Sequence, residues 1–255
     1  MDLGLGGSRA LVGGASRGIG AAIARALAAE GVRVAVVARD MARLQAQAKQ
    51  IGGIAVAVDL STADGPAEAV ERANIALGGL DLVVINSGGP PSGTFDAVSE
   101  AQWHAAVDGT LLSTTRLLTA ALPILRDGHN PAILLVLSSS VREPIQGLVT
   151  SNVLRPGLVG LVKTLVGEIA PIRINGIAPG RIATDRVASM DEVRARTAAI
   201  SVDEVRRQAE SRIPLGRYGD PDEVGRVATF LLSPAASYVN GVIMAVDGGM
   251  IRSLP

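Results

Sequence analysis

Short aliphatic runs recur along the whole chain: Ala10-Leu11-Val12, Val32 to Ala38, Ile54 to Val58, Leu80 to Ile85, Ala132 to Leu137, Ile172 to Asn175 and Val242 to Val246. They are continuous rather than alternating, so each predicts a strand covered on both faces. Between them lie stretches whose length and apolar spacing suit helices: Ala21 to Glu30, Met41 to Ile51, Ala63 to Leu77, Ser99 to Leu125 and Val153 to Ile169. This is repeated βαβ. With right-handed crossovers it gives an α/β fold of the three-layer, Rossmann-type kind, a doubly wound parallel sheet, expected as a single domain over residues 1–255. Ligands in such folds bind beyond the carboxyl ends of the strands. The stretch from Asp185 to Arg212, rich in Arg, Glu and Asp, stands apart and reads as a mobile excursion near the ligand mouth.

Composition narrows the chemistry. Hydrophobic residues make up 48% and aromatics only 2%, so the core must be built from Ala, Val, Leu and Ile. Lys plus Arg and Asp plus Glu are each 24, a formal charge of zero that argues against a nucleic-acid or anionic-membrane partner and leaves a small-molecule substrate. With no cysteine and only His104 and His129, disulfides and thiolate metal sites are excluded and no metal is expected. No run reaches the roughly 18 apolar residues of a membrane span, and the expectation is a cytoplasmic protein.

Candidate chemistry starts at the first strand-to-helix turn. Gly13-Gly14-Ala15-Ser16-Arg17-Gly18-Ile19-Gly20 follows a strand and opens a helix, the context of a dinucleotide-binding loop. Gly14, Gly18 and Gly20 would permit the tight turn, the approach of phosphate to backbone and the packing of helix on strand, with amides at the helix start holding a diphosphate. Other strand ends agree. Asp59, followed by Leu60, closes the third strand and suits an adenine amino group, while Asn86-Ser87-Gly88-Gly89 closes the fourth with small residues. After the second strand stand Ala38 and Arg39, where a carboxylate would bind the ribose of NAD. Arg39, with Arg17, favours a 2′-phosphate, so NADP(H) is the expected cofactor and NAD(H) the lesser possibility. A solvated surface arginine is the plainer reading of Arg39.

These residues resemble the short-chain dehydrogenase/reductase family over nearly the whole chain. The resemblance rests on Gly14-x-x-x-Gly18-Ile19-Gly20, Asp59, Asn86-Ser87-Gly88 and Ile174-Asn175-x-Ile177-Ala178-Pro179-Gly180, in the family's order. The tail, from Ile213-Pro214-Leu215-Gly216-Arg217 to Val246-Asp247-Gly248-Gly249, is similar to bacterial 3-oxoacyl-carrier-protein reductases. The resemblance implies that Pro179, Gly180, Ile182 and Thr184 wrap the nicotinamide and its phosphates. It also implies a homotetramer joined through the helices at 99–125 and 153–169.

The family reduces carbonyls with a serine, a tyrosine, a lysine four residues beyond it and an upstream asparagine. Here the only tyrosines are Tyr218 and Tyr238 and the only lysines Lys49 and Lys163, so no Tyr-x-x-x-Lys pair exists. Register taken from Gly157-Leu158-Val159-Gly160-Leu161 places Ser151 at the tyrosine position and Arg155 at the lysine position. Counting back reaches Ser138, with Ser140 an alternative by local pattern, and the asparagine position falls on Thr110. A tyrosine, of pKa about 10, becomes a useful acid beside a lysine cation, whereas a serine hydroxyl is shorter and far less acidic. Arg155 can still bond the nicotinamide ribose, but as a permanent cation it cannot relay a proton. Ser138 to Ser140 have a plain reading as strand-ending turn residues, Ser151 as a helix N-cap, and Arg142 with Glu143 as a surface ion pair.

Two functions follow. The first is an NADP(H)-dependent oxidoreductase acting on a carbonyl or alcohol without the usual tyrosine and lysine. The second is a catalytically impaired nucleotide-binding, sensing or assembly protein on the same fold. Retention of Asn86, Ser138, Pro179 and Gly180 at the nicotinamide end favours the first.

Overall fold

A computed structural model describes residues 2–253. Seven strands form one sheet in the order β3-β2-β1-β4-β5-β6-β7: β1 (Arg9–Gly13), β2 (Arg33–Ala38), β3 (Ile54–Ala57), β4 (Leu82–Ile85), β5 (Ala132–Val136), β6 (Arg173–Pro179) and β7 (Ile243–Val246). Every pairing is parallel. The strand order reverses between β1 and β4, and a crevice opens at such a switch point beyond the carboxyl ends. The helices are α1 (Gly18–Ala29), α2 (Met41–Ile51), α3 (Gly65–Leu77), α4 (Glu100–Ala106), α5 (Ser113–Leu125), α6 (Val149–Glu168), α7 (Asp185–Ala198), α8 (Val202–Glu210) and α9 (Pro221–Leu232).

Continuous aliphatic strands serve two cores at once. Leu82 and Val84 of β4 join Leu134 of β5 and the Ala-rich α1 on one face, whereas Val83 and Ile85 join Ile133, Leu135 and helices α3, α5 and α6 on the other. Successive side chains leave a strand on opposite faces, so a central strand must be apolar throughout. β4 and β5 are buried at every position.

The structure departs from the sequence-based expectations in several places. The helix expected over Ser99 to Leu125 is broken: α4 ends at Ala106, a π-helical turn spans Val107–Leu112, and α5 begins at Ser113. Apolar periodicity barely registers a single wide turn, because the spacing resumes one residue out of phase. The sixth strand runs on to Pro179, past the polar Asn175, whose Nδ2 donates to the Val239 carbonyl at 2.9 Å and whose Oδ1 accepts the Val242 amide at 3.0 Å. The charged excursion folds as α7 and α8, stitched by neighbouring ion pairs such as Arg206–Glu210 and Arg207–Glu204. Finally, Asp220-Pro221-Asp222-Glu223 opens α9 with a complete capping box and a proline in the first turn, a start signal legible in the sequence. Among the described residues no helix is long and apolar enough to cross a membrane.

Candidate functional site

The glycine-rich turn joins β1 to α1 and is held from the end of β4. Asn86 Nδ2 donates to the carbonyls of Gly13 at 3.2 Å and Gly14 at 3.3 Å, so this asparagine braces the turn itself. Gly14 adopts φ +57°, and a Cβ there would stand 2.5 Å from the Asn86 carbonyl oxygen. A Cβ on Gly20 would run into the Gly14 carbonyl. The N-cap of α1, Arg17, makes no side-chain cap, and no acidic residue stands in the first turn. The first amides of α1 therefore meet the crevice with no competing anion, at the positive end of the helix, and a diphosphate fits there. Ser16 and Ile19 are partly exposed on this turn, while Arg17 is fully at the surface.

Neighbouring strand ends extend the cradle. Leu60 leans toward Gly13, where a Cβ would lie 3.2 Å from its Cδ1. Asp59 Oδ1 accepts the Ser61 amide at 2.9 Å and the Ser61 hydroxyl at 2.7 Å, and Oδ2 lies 3.9 Å from Arg39 Nη1. Partial burial works to raise the Asp59 pKa, yet the Ser61 hydrogen bonds and the Arg39 charge outweigh it and hold the carboxyl below its ordinary 3.8. Arg39 is 78% exposed in its side chain and touches no other carboxylate at ion-pair distance among the described residues. The adjacent acid, Asp40, is committed to capping α2, accepting the Arg43 amide at 3.1 Å. Ser87 is half-buried and Gly88 exposed at the mouth after β4.

At the other end of the crevice β5 runs into a 3₁₀ turn, Ser139–Val141. Ser138 Oγ accepts the Ser140 amide at 3.1 Å and so shapes this turn. Ser140 Oγ lies 3.1 Å from Ser151 Oγ, and both residues are buried. The structure thus brings Ser140, rather than Ser138, against Ser151. It also moves the start of α6 back to Val149, with Leu148 at the N-cap, so Ser151 sits inside the first turn and caps nothing. Arg155, one turn on along the same face, is 7% exposed. Its Nη1 donates to the Val136 carbonyl at 2.9 Å, and it has no carboxylate at ion-pair distance among the described residues. Burial, and secondarily repulsion from Arg186, pushes the Arg155 guanidinium down to about 10.

Thr110 lies within the π-helical turn, which packs against α6. It is 1% exposed, and its Oγ1 has no hydrogen-bond partner among the described residues, while its carbonyl accepts Thr114 Oγ1 at 2.7 Å. Wide turns of this kind cluster at functional sites, and a buried hydroxyl without a partner is costly unless a water or ligand meets it.

The opposite wall begins at Pro179, which is buried, and Gly180, which is partly so. Ile182 pairs in a short bridge with Gly219, and Thr184 caps α7 by accepting the Val187 amide at 3.4 Å. The first two residues of α7 reach back across the crevice. Asp185 lies 3.3 Å from Arg17, and Arg186 Nη2 donates to the Pro90 carbonyl at 3.2 Å. Deeper in α7, Asp191 accepts the Tyr218 hydroxyl at 2.8 Å and pairs with Arg181, which also donates to Tyr218 at 2.8 Å. Burial and the Asp191 hydrogen bond push the Tyr218 phenol up to about 12. This network pins the wall. Arg142 and Glu143 are exposed and form no ion pair with each other. Arg186 is the residue that sequence reasoning passed over. It stands two positions after Thr184, inside the charged run that reads from sequence as a mobile excursion near the ligand mouth, with no residue singled out within it.

Comparison with known proteins agrees with this fold. A family profile described as Enoyl-(Acyl carrier protein) reductase matches residues 14–251. The chain is 31% identical over 258 aligned positions to 3-oxoacyl-[acyl-carrier-protein] reductase FabG of Aquifex aeolicus, covering 98% of this chain and 100% of that protein. L-sorbose reductase from Gluconobacter frateurii, solved with NADPH and L-sorbose, superposes with a TM-score of 0.94 at 30% identity and 100% coverage of both chains. An NADPH-bound short chain oxidoreductase from Pseudomonas aeruginosa PAO1, described as containing an atypical catalytic center, superposes with a TM-score of 0.87 at 30% identity, covering 97% of this chain and 98% of that one.

Proposed function

The chain belongs to the short-chain dehydrogenase/reductase family, and from that premise we propose that it is an NADP(H)-dependent oxidoreductase that turns over a carbonyl or alcohol with Ser140, Ser151 and Arg155 where a serine, a phenol and an amine usually work. The observation that carries the reading is the uncapped start of α1 inside a turn that leaves no room for a Cβ at Gly14 or Gly20. The amides of Gly18 to Gly20 hold the diphosphate, and Pro179, Gly180, Ile182 and Thr184 line the opposite wall. Arg39 and Arg17 take the 2′-phosphate. The neighbouring Asp40 carboxylate, which could otherwise accept a ribose hydroxyl, is occupied as a helix cap. Relatives that bind NADPH support that preference.

When bound, the nicotinamide would supply or accept the hydride. The chain's own groups then manage the oxygen. The paired hydroxyls of Ser140 and Ser151 hydrogen-bond the substrate oxygen, and the buried Arg155 cation keeps the local potential positive as charge develops there. Its unused N–H groups bond the ribose hydroxyls. A serine is a poor acid, so the proton reaches the oxygen from water through the hydroxyl pair, and the unpartnered Thr110 hydroxyl holds a water that refills it. Without a placed phenol, turnover is expected about 10² to 10⁴ below that of a full set. The reading extends to a single working domain over 1–255 and to a cytoplasmic homotetramer. Its contact faces are the helices at 99–125 and 153–169; on α6, Val153 is 56% exposed and open space lies above Gly157 and Gly160.

Fluorescence titration tests the proposal: NADPH should bind saturably and roughly tenfold tighter than NADH, a difference of about 1.4 kcal/mol. A screen of carbonyls and alcohols, followed at the nicotinamide absorbance band, should then show turnover. Binding with a flat screen would favour the nucleotide-binding or sensing role, and failure of both nucleotides to bind ends the proposal.

A further inference from the structure

Two cations at the chemical end of the crevice have no carboxylate at ion-pair distance among the described residues. Arg155 is buried, with one carbonyl as its protein partner, and Arg186 also makes one hydrogen bond, to the Pro90 carbonyl. The acid next to Arg186, Asp185, pairs instead with Arg17 at 3.3 Å. Arg186 spans the crevice from the start of α7 to the loop after β4, lying so close over Gly89 that a Cβ there would collide with the guanidinium. The 3₁₀ turn and the start of α6 beside Arg155 present serines and threonines, and among the described residues no carboxylate stands at ion-pair distance from either cation. A buried, unpaired cation costs several kcal/mol, and a second cation at the mouth of the same site adds a positive potential that an anion would relieve.

The dinucleotide does not supply that anion at this place. On the reading above its diphosphate lies on the amides of α1 and its 2′-phosphate at Arg39, while the ribose beside Arg155 is neutral. We propose that Arg186 is a specificity-determining residue and that, in the field it shares with Arg155, it selects an oxo acid, a substrate whose carboxylate lies near the reacting carbonyl. A guanidinium presents a planar fork that matches a carboxylate with two parallel hydrogen bonds. Rotation of Arg186 away from the Pro90 carbonyl frees that fork while leaving the glycine-rich turn untouched. The inference rests on the proposed oxidoreductase function and deepens it.

The test uses the full-length protein with 2-oxopentanoate, 3-oxopentanoate and 4-oxopentanoate, each beside its methyl ester. NADPH oxidation gives kcat and KM, and calorimetric titration gives binding without turnover. At least one acid should show a KM and a dissociation constant ten or more times lower than its ester. Arg186→Met should remove the preference chiefly through KM, and Arg186→Lys should restore part of it. A thermal melt confirms that each variant folds, as expected for an exposed side chain. Acids and esters within twofold across the series would overturn the inference. So would Arg186→Met weakening NADPH binding while leaving the acid-to-ester ratio intact, since the arginine would then serve the cofactor. Either result leaves the oxidoreductase reading standing. Acid binding in a protein that binds neither nucleotide would do the reverse, supporting the anion site and ending the function it was assigned to.

Discussion

The two ends of the crevice are made of different material. The nucleotide end is backbone: a turn held by Asn86 and Gly14 at a positive φ, with uncapped amides behind it. The chemical end is side chain: two hydroxyls 3.1 Å apart, a buried guanidinium and a threonine with no partner. A backbone site is locked by sterics, because any Cβ in the wrong place destroys it. A side-chain site can be rewritten residue by residue while Thr150, Leu154, Leu158 and Val162 keep α6 buried along the same face. On the proposed reading the chain therefore keeps the family's cradle while its reacting groups differ.

The most damaging way to probe that contrast is at the cradle. Gly14→Ala forces a residue with a Cβ into φ +57° and drives that Cβ to 2.5 Å from the Asn86 carbonyl. Strain of about 1–3 kcal/mol and overpacking of similar size should together weaken NADPH binding by roughly 1,000-fold. Fluorescence titration measures this, and a loss smaller than tenfold would show that the turn is softer than its geometry implies.

The reverse experiment rebuilds the chemical end. Ser151→Tyr combined with Arg155→Lys should raise turnover on a simple ketone by on the order of 100-fold, part of the 10² to 10⁴ that a placed general acid provides. The measure is kcat/KM by NADPH oxidation. No gain would mean that the pocket around Ser140 has been reshaped beyond these two positions.

The same contrast governs what the sequence discloses. The parallel sheet and its cradle are legible because their signals are local: unbroken aliphatic runs, and glycines at fixed offsets between a strand and a helix. Ser151 and Arg155 are legible through register alone. Whether Ser138 or Ser140 meets Ser151 is not, since it depends on a 3₁₀ turn that points one hydroxyl at an amide and the other across to α6. The π turn around Thr110 is hidden for a similar reason, as one extra residue in a turn leaves the apolar pattern nearly intact. Arg186 is invisible because its contact with Pro90 is a tertiary approach across 96 residues of chain.

A milder perturbation separates stability from function at the chemical end. Arg155 has an ordinary pKa of 12.5 and is held at about 10 by burial first and Arg186 second. The unfolded chain thus binds the proton more tightly, and the penalty is complete below pH 10 and relaxes as pH rises from about 10 to 12.5. Arg155→Met should therefore stabilise the apoprotein at neutral pH by about 1 kcal/mol, or roughly 2–4 °C in melting temperature, while weakening nucleotide binding. A lower melting temperature would indicate that the bond to the Val136 carbonyl outweighs the unpaired charge.

The smallest effect is expected behind the cradle, where α9 packs along α1 and Arg25 meets Asp222 at 2.6 Å. Glu223 ties down the start of α9: one oxygen accepts the Asp220 amide at 2.7 Å, and both face Arg217, at 2.7 and 2.8 Å. Those hydrogen bonds, Arg217 first, hold its carboxyl at about 2, below the ordinary 4.5. Because the folded-state value is the lower one, this stabilisation is present in full above pH 4.5 and is lost as pH falls toward 2. Solvent reaches the pair, so Glu223→Gln should cost no more than about 1 kcal/mol at pH 7, from the cap and a screened ion pair together. The variant should also flatten the acid limb of the melting profile between pH 4.5 and 2. If the loosened α9 transmits to α1, NADPH affinity will fall while the oxo-acid preference at Arg186 stays fixed. A change in both together would show that the two ends of the crevice are coupled.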